Sequence, residues 1–238
     1  NTQHRAKVTT FNNDNVVVTW RDLRNDPDGD IYAQILDSSG NELLNPNGNV
    51  VCDNESQQAS PRVKTDGEHA FIYWEDKRNN SQIDPYVQKM DIDGNMLWTD
   101  NGIQIADDFG DQNQVRMSVD NNGGAFFTWI DDRGDSNPVW AGSDIYLEHI
   151  NSEGELTFGQ SGIPVDQDSG PQLDPLIKCN DSGQAFIVWS DRKDGSSIII
   201  ETQMATIEGL HFQENGQEIW YGTDGNALLS SSIELYNG

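Results

Sequence analysis

Ala70-Phe-Ile-Tyr-Trp-Glu-Asp-Lys-Arg78 decides the fold, because the chain repeats its pattern four times. Trp-x-Asp with basic residues behind it recurs as Trp20-Arg-Asp-Leu-Arg24, Trp74-Glu-Asp-Lys-Arg78, Trp129-Ile-Asp-Asp-Arg133 and Trp189-Ser-Asp-Arg-Lys193, the tryptophans standing 54, 55 and 60 residues apart. Ten residues behind the first two tryptophans come Asp30-Ile-Tyr-Ala-Gln34 and Asp84-Pro-Tyr-Val-Gln88. In the third copy Asp144-Ile-Tyr-Leu-Glu148 comes fifteen behind, so a five-residue insertion explains the long last period; the fourth copy is degenerate, Ile199-Ile-Glu-Thr-Gln203. A Gln precedes the Trp by seventeen residues at Gln3, Gln112 and Gln172, and by sixteen at Gln58. Several columns in register define a repeat architecture.

Each repeat reads as four short strands. In the second, the strands are Pro61–Thr65, Ala70–Trp74, Tyr86–Met90 and Asn95–Trp98, with turns at Asp66-Gly67 and Asp93-Gly94, pairs that accept positive φ. Helical periodicity is absent. Four strands per period of 54–60 residues is a β-propeller blade. The expectation is an all-β propeller over 1–238 with four recognisable four-stranded blades, closed four-bladed or part of a larger wheel. The blades span about 3–52, 57–107, 112–166 and 172–228, and 229–238 starts a further strand or blade.

Composition narrows the partners. The 238 residues carry 14 Lys+Arg against 40 Asp+Glu, a net charge of −26, which repels a phosphate backbone and excludes nucleic acid. The longest apolar runs, Ala70–Trp74 and Ala185–Trp189, are five residues, far short of a bilayer span, so direct membrane insertion is not expected. Seven Trp, six Tyr and eight Phe supply the bulky surface that disordered chains lack. Asn1 is not an initiator Met and no charged-then-apolar leader follows it, so a processed chain or a fragment is expected. Cys52 and Cys179 match no metal or redox spacing. Cys179 reads as a buried free thiol; a disulfide with Cys52 would need the first and fourth blades to meet.

The stretch Trp189-Ser-Asp-Arg-Lys-Asp-Gly195 and the Trp20-to-Gly40 segment resemble the repeats of TolB-type, PD40-like propellers. They are still more similar to the Trp-x-Asp-x-Arg…Asp-Ile-Tyr-x-Gln repeats of large surface proteins exported by bacterial type IX secretion. The resemblance covers most of the chain, implies a propeller with an extracellular or cell-surface address, and transfers no catalytic residues. Ile199 departs from the pattern where Asp is expected.

Candidate sites follow. The Asp22, Asp76, Asp131 and Asp191 column with Arg24, Arg78 and Arg133 reads as a shared fold device rather than a ring of ligands. Asn25-Asp-Pro-Asp-Gly-Asp30 offers Asp26, Asp28 and Asp30 as oxygen ligands for calcium, without the EF-hand pattern; no other cofactor is expected. The inserted loop of repeat three brings Trp140, outside every column, with Asn137 and Asp135 beside it; an off-pattern aromatic on a loop suits a sugar or a protein. The four His share no column, and no nucleophile elbow or phosphate loop is present. The resulting expectation is an extracellular, non-enzymatic recognition or adhesion module that binds a protein or glycan at the cell surface, with other parts of a longer chain as further partners. The alternatives are a secreted carbohydrate-active enzyme on a propeller scaffold and a structural spacer of a large surface protein.

Overall fold

The computed structural model describes residues 2–12, 14–79, 82–133, 142–167, 170–192, 198–214 and 217–221. They form four antiparallel sheets in chain order. The first holds β1 (Gln3–Phe11), β2 (Asn15–Asp22), β3 (Asp30–Leu36) and β4 (Asn49–Cys52); the second holds β5 (Gln58–Thr65), β6 (Ala70–Asp76), β7 (Asp84–Met90) and β8 (Ile103–Gln104). The third holds β9 (Gln112–Val119), β10 (Ala125–Asp131), β11 (Asp144–Ile150) and β12 (Ile163–Asp166). The fourth is five-stranded, with β13 (Gln172–Cys179), β14 (Ala185–Asp191), β15 (Ile199–Thr206), β16 (Gly209–Glu214) and β17 (Gln217–Tyr221). Four meandering blades of this kind are a β-propeller, as the repeat required.

The second strand of the second blade reads as an unbroken apolar run because both of its faces are covered. Side chains alternate across a strand, so Ala70, Ile72 and Trp74 pack with Phe11, Val17 and Ile35 of the first blade. Phe71 and Tyr73 turn the other way, onto Val115, Met117 and Phe127 of the third. Phe126, Ile130 and Leu147 carry the packing on to Ile187 and Trp189 of the fourth. Each large side chain so buried contributes about 1.5–3 kcal/mol. Across blades, β1 packs on β5, β5 on β9 and β9 on β13, so the first strand of each sheet lies innermost.

The outermost strand lies later in the chain than the sequence suggests. Asn95–Trp98 makes a single bridge, Met90 to Met96, and the fourth strand is Ile103–Gln104, paired with Tyr86 and Val87. The cause is Gln88, whose Oε1 accepts the Trp98 N–H at 3.1 Å while its Nε2 donates to the Thr99 carbonyl at 2.9 Å. A side-chain amide thus takes the place of backbone pairing and lets the chain swing out before it returns. The fourth blade departs again, since a turn at Thr206–Gly209 joins β15 directly to β16, which pairs with β17. Residues 229–238, expected to start a further strand, lie outside the described residues.

Both cysteines are free and buried, Cys52 between the first two blades and Cys179 between the last two. At the ends of the series apolar groups stay open: Val8 on β1 is 64% exposed and Ile200 on β15 is 61% exposed. No helix among the described residues is long and apolar enough to cross a membrane.

Candidate functional site: the inner-strand rim

The repeated Trp, Asp and Arg form a self-contained clasp. Asp76 accepts the Trp74 indole N–H at 2.9 Å, the Arg78 backbone N–H at 2.9 Å and the Arg78 guanidinium at 2.6 Å. Arg78 lies 4.0 Å over the Tyr86 ring and donates to the Asn101 carbonyl at 3.0 Å, pinning the loop that leads to β8. Asp22 and Asp131 repeat this with Trp20, Arg24, Tyr32 and with Trp129, Arg133, Tyr146. Burial opposes ionisation of Asp22, but hydrogen bonds from Arg24, Trp20 and Gln3 outweigh it and hold the carboxyl well below the usual range. The column is therefore occupied with holding loops. In the fourth blade the pattern breaks: Trp189 donates to Asp166 at 2.9 Å, and Asp191 accepts from Gln172 at 3.3 Å. There the oxygens of Asp166, Asp191 and Glu201 come within 4.8 Å of one another.

That trio, not the Asn25–Asp30 turn, is the acidic grouping at metal-ligand spacing among the described residues. The turn is otherwise employed: Asp26 Oδ1 accepts the Asp28 N–H at 2.8 Å, Asp28 is exposed, and Asp30 is buried in β3 opposite Asp22. Burial pushes the Asp30, Asp84 and Asp144 carboxyls up to about 6. Asp84 Oδ2 is met by Asn79 and Gln104, each at 3.1 Å, whereas Asp30 Oδ2 meets no donor. Asp135, Asn137 and Trp140 lie outside the described residues.

The third blade holds two groups that the sequence left unmarked. Glu148 stands where Gln34 and Gln88 stand in the blades before it. Its Oε1 accepts the His149 and Phe158 N–H groups, both at 2.8 Å. Its Oε2 is buried without a partner, and burial pushes the carboxyl up to about 8. His149 joins Asp120 at 2.9 Å and Thr157 at 2.7 Å, the connectivity of a nucleophile–base–acid string. With His149 3% exposed and its ring 4.4 Å from Phe126, that string braces the blade and has no room for a substrate.

The innermost strands carry the one repeated device whose side chains differ. Two residues behind each Gln the backbone turns left-handed, at Arg5 (φ 54°), Ser60 (φ 51°), Gln114 (φ 52°) and Asp174 (φ 54°), and the pairing register shifts there in every blade. A left-handed residue with a side chain costs about 1–2 kcal/mol, and glycine would remove that cost. None of the four is glycine, and they are four different polar residues on one backbone shape. The fold columns, by contrast, repeat their side chains. Neighbours along this rim touch: Arg5 donates to Ser60 Oγ at 2.8 Å, and Arg62 donates to the Val115 carbonyl at 3.0 Å. Arg116 also reaches Val115 at 3.2 Å and Gln114 at 3.0 Å, and Asp174 is exposed. Sequence reading missed all of these. The Gln column marked where this strand begins, but the residues behind it vary from blade to blade, so the sequence did not single out the left-handed position.

No family model matches the chain, and no curated protein matches it. Among solved structures it is similar to an ulvan lyase of polysaccharide lyase family PL25, at 10% identity and a TM-score of 0.51, over 95% of this chain and 58% of that one. It is also similar to an α-L-arabinanase of Penicillium chrysogenum complexed with arabinobiose (9% identity, TM-score 0.48, 85% and 64% of the two chains). A third is a GH93 α-L-arabinofuranosidase of Fusarium graminearum (10%, 0.47, 84% and 64%). The chain thus spans about three-fifths of the length of these proteins, and at such identity the likeness establishes the fold alone. The names nonetheless correct the expectation of a non-enzymatic recognition or adhesion module. The ulvan lyase, the one of the three with a TM-score above 0.5, is a polysaccharide-degrading enzyme, so the non-enzymatic reading is not carried forward.

Proposed function

We propose that the chain is a carbohydrate-active enzyme on a propeller scaffold, processing an extracellular polysaccharide across the inner-strand rim. The observation that carries this is the rim itself: four strained left-handed positions, each filled by a different polar side chain, Arg5, Ser60, Gln114 and Asp174. Backbone strain that a glycine would relieve is kept where the side chain has work to do, and bulges re-aim side chains beside active sites. Four donors and acceptors on adjacent strands suit the hydroxyl-rich face of a glycan, with Asp174 as the carboxylate available for proton transfer. A secreted location is part of the proposal; it is supported by the resemblance of the repeats to exported surface proteins and by a polysaccharide substrate.

Arabinan, xylan, pectin and ulvan are to be incubated with the intact chain, with release followed as new reducing ends and as the ultraviolet absorbance of unsaturated uronates. Release from one of these polymers is expected, reduced by about 10²-fold or more in D174N. No release from any of them, or full activity in D174N together with Q114A, would overturn the proposal.

A further inference from the structure

The chain has a large excess of carboxylates, 40 against 14 Lys and Arg, yet on the inner rim two guanidinium groups meet on one backbone carbonyl rather than on a carboxylate. Arg24, Arg78 and Arg133 are ion-paired with Asp22, Asp76 and Asp131. Arg62 and Arg116 are not: neither forms a salt bridge with a carboxylate among the described residues. Instead both guanidinium groups converge, from β5 and β9, on one backbone oxygen, that of Val115, at 3.0 and 3.2 Å. Each guanidinium has five donors and no acceptor. Among the described residues their remaining acceptors are the Gln114 carbonyl, 3.0 Å from Arg116, and the Tyr73 phenol beside Arg62. Both arginines are half-buried, and the donors that protein does not satisfy stay open at the surface for a ligand.

The electrostatics agree with that geometry. Burial, and then the like charge of Arg62, lower the Arg116 pKa, with Tyr73 and Asp174 pulling the other way. Two like charges held together and short of acceptors form a site for an oxyanion, which a pair of guanidinium forks can hold by several charge-assisted hydrogen bonds. The position is the equivalent one in two adjacent blades, four residues behind Gln58 and Gln112, and it adjoins the left-handed residues Ser60 and Gln114.

We propose that Arg62 and Arg116 form an anion subsite of the rim, which takes the carboxylate of a uronic acid or the sulfate ester of a sulfated sugar, so that the substrate is an anionic glycan. The glycan part rests on the function proposed above, whereas the anion site stands on its own geometry.

The intact chain is to be titrated calorimetrically at fixed ionic strength with D-glucuronate, with a glucose sulfate ester and with neutral methyl glucoside. Saturable heat is expected with one or both anions and none with the neutral sugar; the tighter anion assigns carboxylate or sulfate. R116Q should weaken anion binding at least ~10-fold, with R116K between it and the native chain, since Lys keeps the charge but not the fork. Arg62 also holds Tyr73, so R62Q is to be read beside a circular dichroism spectrum, and R116Q, which loses bonds only to backbone carbonyls, is decisive. No saturation with either anion, or binding unchanged in R116Q, would overturn the subsite. Anion binding without turnover of any polymer supports the subsite and counts against the enzyme reading; turnover of a neutral glycan without anion binding does the reverse.

Discussion

Glu148 shows how much one atom matters. In its place Gln88 accepts with one end and donates with the other, to the Thr99 carbonyl at 2.9 Å. An ionised Glu148 can only accept, so its buried Oε2 stays unmatched unless it carries a proton. The carboxyl titrates at 4.5 when unfolded and about 8 when folded. Between those values the folded state holds a proton that the unfolded state has released, so this contribution to stability is full below pH 4.5, falls as pH rises, and is gone above about 8. E148Q is expected to match the native chain near pH 4 and to exceed it by about 1–3 kcal/mol at pH 9 in denaturant unfolding. Equal stability at pH 9 would refute this. The repeat made the column legible, but Glu for Gln reads as a conservative change until the missing donor is seen. For the same reason Arg62 and Arg116 passed as ordinary strand residues: their significance lies in the meeting of two guanidinium groups on one carbonyl, which only the packing of adjacent blades brings about.

At the scale of the element, the strands β1–β3 and their counterparts were legible because they carry apolar runs and the clasp motif, while the outer strand was not. β8 is two residues long, too short for any alternation to show, and the bond that displaces it comes from a side chain. The loop before it is shaped by a glycine that the repeat does mark. Gly102 has φ +83°, and a Cβ there would stand 2.4 Å from the Trp74 ring; Gly48 and Gly162 meet Trp20 and Trp129 at 2.5 Å in the same way. G102A is expected to cost about 2–5 kcal/mol, from left-handed strain plus overpacking, read as a lower denaturant midpoint. G67A, where nothing lies within 4 Å of the added Cβ, carries the strain alone and serves as the control.

Over the whole molecule the titrating groups divide by direction. Asp30, Asp84 and Asp144 are raised by burial to about 6 from 3.8, and with Glu148 they withdraw stability as pH climbs from about 4 to 8. Asp22 and Asp120 are lowered, burial being outweighed by hydrogen bonds from Arg24 and Trp20 in the one and from His149 in the other. Their contribution is present above 3.8 and lost as pH falls through the folded values. The excess negative charge of −26 adds repulsion on the alkaline side. Thermal melts across pH 3–9 should therefore show greatest stability at about pH 4–5 and a decline toward 8; a maximum at pH 7–8 would contradict these shifts.

Each of the three buried clusters spans two neighbouring blades and none reaches a third. Mechanically this is a row of seams rather than a vault with a keystone, for every blade leans only on the next. A pull or a proteolytic cut in one blade opens the nearest seam, and the blades beyond it keep their shape. The rim crosses those same seams, with Arg5 and Ser60 on either side of the first and Arg62 and Arg116 on either side of the second. A chain of sugars laid along the rim would act as a suture, fastening blades that their cores join only two at a time.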